Sequence, residues 1–185
     1  MSPQERRDAL IDATRPLLYE HGRDVTTRLI AEAAGVAEGT IFRVFESKDE
    51  LVAATLAREF DPARLERRLE EIDPTDDLRE KLLKLASIQQ QRLRAVFGLM
   101  RAMGMFGPPH KDDPKKRGAD TANFERMVAL VEPHAAELSV APGMLVHMLR
   151  LLTFAGSNEQ IADGRLLTPE QIVDTLLHGV LKETP

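Results

Sequence analysis

The sequence predicts an all-α protein, and three of its features support that fold class. Aromatic residues make up 4% of the 185 residues, with no Trp and one Tyr, whereas β-strands favour aromatic and β-branched side chains. Leu, Ala, Glu and Arg, which are good helix formers, are abundant instead. Apolar residues recur at helical spacing along several long stretches. Because 43% of the residues are hydrophobic, the chain can bury a substantial core.

The composition also excludes several classes of site. The chain has no Cys, so it has no disulfide framework, thiolate metal site or Cys nucleophile. We expect no metal or cofactor, because the chain has neither Cys nor a metal-ligand spacing. We expect a cytoplasmic protein, because Met1–Leu10 is polar and no apolar run approaches the length of a membrane span. The net charge of −5 argues against coating nucleic acid through bulk charge. Any DNA binding therefore has to come from a local arrangement of residues.

Residues 5–21 are predicted to form the first helix, which Gly22 ends. Pro16 removes one backbone donor and clashes with the preceding turn, so we expect a kink or a break there. A second helix follows, with Thr26 or Thr27 as its N-cap.

The second helix stops at Gly35, and a three-residue turn leads to a short helix from Glu38 to Phe45. Ser47 is then placed to cap a fourth helix that begins at Lys48. Two short helices joined by a tight turn that contains Gly are typical of a helix-turn-helix motif. Such a motif places the N-terminal residues of its second helix in the major groove of DNA.

The side chains of this motif divide into an inner and an outer set. Val36, Ile41 and Phe45 are expected to fill the small core beneath it. Glu38, Gly39, Thr40, Phe42 and Arg43 are expected on the outer side. Arg43 is the best candidate for recognising guanine, because a guanidinium can donate two hydrogen bonds to the O6 and N7 atoms of that base.

The rest of the chain reads as further helices separated by breaks. Asp61-Pro62 and Asp73-Pro74-Thr75 are the expected breaks, and Thr168-Pro169 is the expected start of the last helix. In between we predict a long helical stretch at 76–106, a loop at 107–119, and helices at 120–138 and 142–161.

The segment Thr26–Leu51 resembles the DNA-binding signature of the TetR family. The resemblance rests on the Thr pair, the Ile-Ala-x-x-Ala-Gly-Val run from Ile30, the Gly-Thr-Ile triplet from Gly39, and the Ser-Lys-x-Glu-Leu run from Ser47. It implies a helix-turn-helix domain at 1–50 and a larger helical domain at 51–185 that binds an effector and dimerises.

The resemblance also implies roles for the matched residues. Thr26, Thr27 and Lys48 would contact phosphate, Gly39 would allow close approach of the backbone, and Thr40 would contact phosphate or a base edge. The alternative for Thr26, Thr27 and Ser47 is a plain N-cap without a ligand. The full set of expected DNA-binding residues is Thr26, Thr27, Arg28, Glu38, Gly39, Thr40, Phe42, Arg43 and Lys48.

Four positions depart from the family pattern. Phe42 stands where Tyr is usual, Val44 where His is usual, and Ala37 where a Ser cap is frequent. Glu38 places a negative charge where a positive one is common. Arg28 and Arg43 are expected to compensate, and Phe42 is alternatively a half-buried hydrophobic residue.

In the C-terminal region the sequence suggests a ligand pocket and a dimer interface. Met and aromatic residues suit a pocket that adapts to its ligand. The alternative for each of them is that it belongs to the ordinary hydrophobic core. The alternative for His134 and His147 is that they are hydrogen-bonded histidines of the core. The pocket candidates are Leu93, Phe97, Met100, Met103, Phe106, Met127, His134, His147 and Met148.

Residues 142–155 and the last helix are apolar on more than one side, which favours a two-fold helical dimer interface. Its candidates are Leu151, Leu152, Phe154, Ile172, Leu176, Leu177 and Val180. His178 is expected at or near this interface.

These features predict a homodimeric, ligand-responsive repressor that binds palindromic double-stranded operator DNA and has no membrane partner. A small apolar or amphipathic molecule would release it. The alternative is a DNA-binding regulator that a protein partner controls through the 107–119 loop. An enzyme is less favoured, because the sequence has no Ser-His-Asp, paired-carboxylate or metal-ligand spacing and no Gly-rich phosphate loop.

Overall fold

The described part of the chain is helical throughout. A computed structural model describes residues 2–105 and 114–180, except for the side chains at 116, 179 and 180. The α-helices, in chain order, are α1 (Pro3–His21), α2 (Thr27–Ala34), α3 (Glu38–Ile41), α4 (Lys48–Glu59), α5 (Pro62–Glu70), α6 (Leu78–Ala102), α7 (Pro114–Val131), α8 (Pro142–Ser157) and α9 (Pro169–Val180). Short 3₁₀ helices follow α1 (Gly22–Asp24) and α7 (Glu132–Glu137). Residues 2–105 and 114–180 contain no β-strand, in agreement with the all-α prediction.

The chain divides into two compact units, each with its own hydrophobic core. The first unit combines Met1–Asp61 with Ala95–Lys111, and the second combines Pro62–Arg94 with Asp112–Pro185. The long helix α6 therefore contributes residues to both units.

The division into a DNA-binding domain at 1–50 and an effector domain at 51–185 concerns function, and it remains a prediction. In the structure, the whole of α4 belongs to the first compact unit.

The core of the first unit is built from helices α1 to α4 and the end of α6. Ile41 and Phe45 are at most 1% exposed, which confirms that they fill the core beneath the helix-turn-helix motif. Val36 is partly buried against the same cluster. Leu99 and Met103, near the end of α6, complete this core.

Helix α1 is unbroken from Pro3 to His21, so of the two outcomes expected at Pro16, a kink or a break, the break is excluded. A proline inside a helix costs about 3 kcal/mol. Leu10 and Leu18, on either side of Pro16, are at most 1% exposed, and burying one such side chain contributes about 1.5–3 kcal/mol. Packing on both sides of the proline therefore outweighs the lost hydrogen bond.

Helix α3 is shorter than predicted, because it ends at Ile41 rather than at Phe45. Residues 42–44 form a turn, and the backbone N–H of Phe45 donates to the carbonyl of Ile41 at 2.9 Å. The turn keeps Phe45 in the core although the helix has already ended.

The second unit has a core made by helices α5 to α9. Central side chains with no exposure include Leu82 and Leu85 of α6, Leu145 and Leu149 of α8, and Ile172 of α9. Parts of all five helices are thus held around one apolar centre.

The loop predicted at 107–119 is wrong for its second part, because α7 begins at Pro114. Proline is favoured at the first helical position, where its missing N–H would have no helical partner in any case. Residues 107–113 lie outside the described part of the chain. At the other end α7 stops at Val131, where the 3₁₀ helix Glu132–Glu137 begins.

The remaining helix boundaries follow local capping chemistry. The hydroxyl of Thr168 accepts from the backbone N–H of Gln171 at 3.2 Å, as predicted for the start of α9. Helix α8 ends at Ser157, earlier than predicted, because the side chain of Asn158 accepts from the backbone of the following turn.

The breaks at Asp61-Pro62 and at Asp73–Thr75 separate α4, α5 and α6 as expected. Asp73 accepts hydrogen bonds from the Thr75 hydroxyl (2.6 Å) and backbone N–H (2.8 Å), which lower the pKa of the Asp73 carboxyl. Within residues 2–105 and 114–180, no helix combines the length and apolarity that a bilayer crossing requires.

Candidate nucleic-acid interface

The turn between α2 and α3 depends on the backbone conformation of Gly35. This residue lies in the left-handed region at φ +66° and ψ +33°, which L side chains adopt only at a cost. Its N–H donates to the Glu32 carbonyl at 3.1 Å, and the N–H of Val36 donates to the Ala31 carbonyl at 3.0 Å. These bonds end α2 and direct the chain into α3.

Two hydroxyls cap the helices on either side of α3. The Thr26 Oγ1 accepts from the backbone N–H of Leu29 at 3.2 Å, and the Ser47 Oγ accepts from that of Glu50 at 3.1 Å. Both residues therefore act as N-caps. A capping oxygen uses a lone pair, so each hydroxyl still has its proton to donate to a ligand.

Two of the expected DNA-binding residues contact each other. The hydroxyl of Thr27, at the start of α2, donates to the carboxylate Oε1 of Glu38, at the start of α3. Ala37 at the N-cap of α3 supplies no side-chain hydrogen bond. The carboxylate of Glu38 thus lies at the junction of the two helices.

The Lys48 ammonium binds back to its own unit. Its Nζ donates to the backbone carbonyl of Val25 at 3.0 Å and lies 3.5 Å from that of Arg23. Both carbonyls precede Thr26, so the ammonium is placed beside the N-terminus of α2. Because an ammonium has three donors, one donor is left over for a phosphate.

Gly39 has no structural need to be glycine. Its φ is not positive, and a Cβ built on it meets no atom within 4 Å. Arg28 and Arg43 are exposed, as is Phe42 at 52%, while Thr40 is half-buried. The exposed residues of the motif, Arg28, Glu38, Gly39, Phe42 and Arg43, are together called the α3 face.

The charges of the first unit are arranged unevenly. Residues 1–50 contain seven Lys/Arg and ten Asp/Glu, a net charge of 7 − 10 = −3. Arg58 pairs with Asp8 (3.3 Å) and Asp12 (3.5 Å). Arg28 and Arg43, in contrast, have no ion-pair partner among the residues that the structure describes. These two cations therefore remain available to an anionic partner.

Comparison with known proteins matches this motif to one family. Residues 10–55 match the family model described as "Bacterial regulatory proteins, tetR family". The N-terminal segment of the chain therefore carries the DNA-binding signature of the tetR family. This match confirms the resemblance that the sequence predicts for the segment.

Individual relatives support the same family. The HTH-type transcriptional repressor KstR of Rhodococcus jostii is 46% identical over 59 residues, which cover 31% of this chain and 28% of that protein. The HTH-type transcriptional regulator TtgR of Pseudomonas putida is 28% identical over 149 residues, 77% of this chain and 71% of that protein. The stronger identity is thus confined to less than a third of the KstR repressor's length.

The fold matches solved structures over nearly the whole chain. A TetR transcription regulator from Haloarcula marismortui gives a TM-score of 0.66 at 20% identity, and the match covers 97% of this chain and all of that one. At this identity the likeness supports the fold alone. It agrees with the predicted N-terminal helix-turn-helix domain followed by a larger helical domain.

The pocket candidates fall into different compact units. Met100 and Met103 pack in or against the core of the first unit, and Met127 and Met148 do so in the second. Leu93 and Phe97 are half-buried. Phe106 lies outside the described residues. A single pocket lined by all of these residues remains a prediction.

The two candidate histidines have different surroundings. His134 lies between a buried lysine and a carboxylate, with Nε2 3.1 Å from Lys81 Nζ and Nδ1 2.7 Å from Glu137 Oε1. An imidazole that accepts at Nε2 and donates from Nδ1 fits this arrangement. His147 is exposed, so the alternative that it is a core histidine is wrong.

The dimer candidates also divide, into outward-facing and inward-facing side chains. Leu151 and Phe154 are 57% and 44% exposed. Ile172 and Leu176 are 0% and 8% exposed and belong to the core of the single chain, so their assignment to an intermolecular surface needs correction. The sequence of a helix that is apolar all round does not show which side faces the core. Met144, which is 51% exposed, is therefore absent from the dimer candidates that the sequence predicts.

The other dimer candidates are intermediate or outside the described side chains. Leu152 and Leu177 are partly buried against the core of the second unit. The side chain of Val180 is outside the description. His178 is exposed, and its Nδ1 lies 2.5 Å from the carbonyl of Asp174.

The two glycines of the motif should respond oppositely to the same substitution. Gly35→Ala forces a side chain into the left-handed region and should lower the free energy of unfolding by about 1–2 kcal/mol. Gly39→Ala meets open space in a helix and should leave that free energy unchanged or raise it by about 0.5–1 kcal/mol. Urea unfolding followed by circular dichroism measures both, and an equal loss in the two variants would contradict the assigned role of Gly35.

Proposed function

We propose that this chain is a sequence-specific DNA-binding transcriptional regulator that acts as a homodimeric repressor. It binds a palindromic operator through the α3 face of each protomer. A small apolar or amphipathic molecule that binds in the second unit releases it. The proposal rests on the tetR-family match of residues 10–55 and on the exposed α3 face of the first unit. It rests also on the exposed apolar side chains of α8 and the buried polar atoms of the second unit.

The openness of the α3 face carries the DNA-binding part of the proposal. Gly39 is small although nothing in its own unit requires it to be, which suits a backbone that an external partner approaches closely. Arg28 and Arg43 belong to the α3 face and are exposed, and guanidinium groups can donate to phosphate or guanine. Thr26, Thr40 and Lys48 would add donors for phosphate.

Dimerisation accounts for the exposed apolar side chains of α8. Met144, Leu151 and Phe154 are each more than 40% exposed, and their spacing of seven and three residues places them along one side of the helix. A two-fold copy of the same stripe would cover them, since two-fold interfaces are self-complementary. Two-fold symmetry in turn requires a palindromic site.

Buried polar atoms in the second unit support a small-molecule effector over a protein partner. Gln89, Asn123, Thr153 and Ser157 are at most 7% exposed, and each has a side-chain atom without a hydrogen-bond partner in the described residues. Such an atom costs about 1–3 kcal/mol. The polar groups of an amphipathic ligand would satisfy these atoms. A ligand that prefers the released state by a few kcal/mol is sufficient to shift the population.

Selection from fragmented genomic DNA tests the DNA-binding function. The wild-type protein should recover one palindromic site at low and at near-physiological salt. Gly39→Ala should bind this site at least roughly tenfold more weakly, equivalent to about 1.4 kcal/mol, because the added methyl group separates the backbone from the DNA. Fluorescence anisotropy with the recovered duplex measures the change.

Arg165→Ala, an exposed change in the second unit, is the control and should bind as the wild type does. Failure to recover any sequence at either salt would rule out the proposed DNA-binding function. Equal affinity of the Gly39→Ala variant would place the DNA contacts elsewhere on the protein.

The dimer is tested by placing charges on the exposed stripe. Leu151→Glu combined with Phe154→Glu should give monomers in sedimentation velocity, because four carboxylates would be buried without partners across a two-fold interface. Ile161→Glu, at a residue that is 55% exposed outside α8, is the control and should remain dimeric. A persistent dimer in the double variant would locate the interface on another surface.

A further inference from the structure

The Thr27–Glu38 contact changes what each residue can offer to DNA. Thr27 is half-buried at the first position of α2, and Glu38 is exposed at the first position of α3. The Thr27 hydroxyl donates its only proton to the Glu38 carboxylate. While this bond persists, the hydroxyl has only lone pairs left and cannot donate to a phosphate oxygen.

The same bond orients the carboxylate. Thr27 holds Oε1, and no other hydrogen bond or ion pair of the Glu38 side chain occurs within residues 2–105 and 114–180. Oε2 and the remaining lone pairs of Oε1 are free to accept on the exposed side of α3. The carboxylate is thus an acceptor with a fixed position on the α3 face.

An acceptor at this position selects among bases by simple chemistry. In the major groove guanine presents acceptors at N7 and O6, and thymine presents the O4 acceptor and a methyl group. Cytosine presents the N4 amino donor, whereas adenine combines its N6 donor with the neighbouring N7 acceptor. A carboxylate is therefore satisfied best by cytosine and is repelled by phosphate.

We propose that Glu38 selects cytosine at one position in each half of the operator, with Thr27 as its positioning residue. This inference rests on the proposed DNA-binding function and deepens it, because it assigns a base to a residue. It also reassigns Thr27, which orients Glu38 instead of binding phosphate through its hydroxyl. Glu38, a departure from the family pattern, thereby becomes a determinant of specificity.

Selection from randomised double-stranded palindromes, followed by sequencing, tests this assignment. The wild-type protein should enrich cytosine at one symmetric position by on the order of tenfold. Glu38→Gln should move the preference there to adenine, because an amide can accept from N6 and donate to N7. Glu38→Ala should abolish the preference at this position and leave the preferences at other positions unchanged.

Variants of Thr27 test the positioning role. Thr27→Val removes the hydroxyl at nearly constant shape and should weaken the cytosine preference several-fold. Thr27→Ser retains the hydroxyl and should restore the preference. A loss of overall affinity without a change of base preference in Thr27→Val would overturn the positioning role and indicate a phosphate contact.

Glu46→Gln is the control for charge. It removes one exposed carboxylate in the turn before α4 and should raise affinity slightly without altering any base preference. If Glu38→Gln raises affinity in the same way and keeps the wild-type bases, the carboxylate acts only by repulsion and the inference is overturned. Absence of any enriched motif with the wild-type protein would overturn the proposed function together with this inference.

Discussion

The left-handed backbone of Gly35 is the constraint on which the candidate interface depends. At φ +66°, this residue lets α2 end with two hydrogen bonds and lets α3 begin only three residues later. The open space around its Cβ position shows that the demand is conformational rather than steric. Without this turn Thr27 and Glu38 could not meet, and the α3 face would not be assembled.

Burial holds the short recognition helix in place. Helix α3 spans four residues, and a helix of that length is unstable on its own, because nucleation is costly and few hydrogen bonds repay it. Ile41 and Phe45 are at most 1% exposed, so they anchor its C-terminal side in the core of the first unit. The N-terminal side is left open, where Ala37 provides no cap and Gly39 no side chain. The C-terminal side of α3 is therefore held by the core, and its N-terminal side is accessible to a partner.

Local features of this structure were predictable from the sequence, whereas features that depend on packing were not. The caps at Thr26, Ser47 and Thr168 depend on atoms within three residues, so short sequence patterns specify them. The sequence does not exclude a break at Pro16, because the cost of the proline is offset by the burial of Leu18 two residues later. The composition around Pro114 predicts a loop, although the same ring favours the first turn of a helix.

In the candidate site, too, local features could be predicted from the sequence, and features that depend on packing could not. The exposure of Glu38 and Gly39 agrees with the outer position that the sequence predicts for them. Phe42 and Arg43 are exposed as well, although they lie in the turn after α3 and not in the longer helix that the sequence predicts. The Thr27–Glu38 bond joins side chains eleven residues apart, and no spacing pattern indicates it. The outward orientation of Leu151 was equally hidden, since apolar residues surround α8. Helix α9 has its apolar residues, Ile172 among them, on one side, and the sequence does not show whether that side faces the core of the same chain or a second copy. Only the packing of the folded chain separates the core side from the exposed side.

The central claim is that two copies of the α3 face dock on successive major-groove segments of one palindromic site. Hydroxyl-radical footprinting of the wild-type protein on its selected duplex tests this claim most directly. The account predicts two equal protected patches, symmetric about the centre of the site and about one helical turn, 34–36 Å, apart. A single protected patch, or protection that does not depend on the sequence, would contradict it.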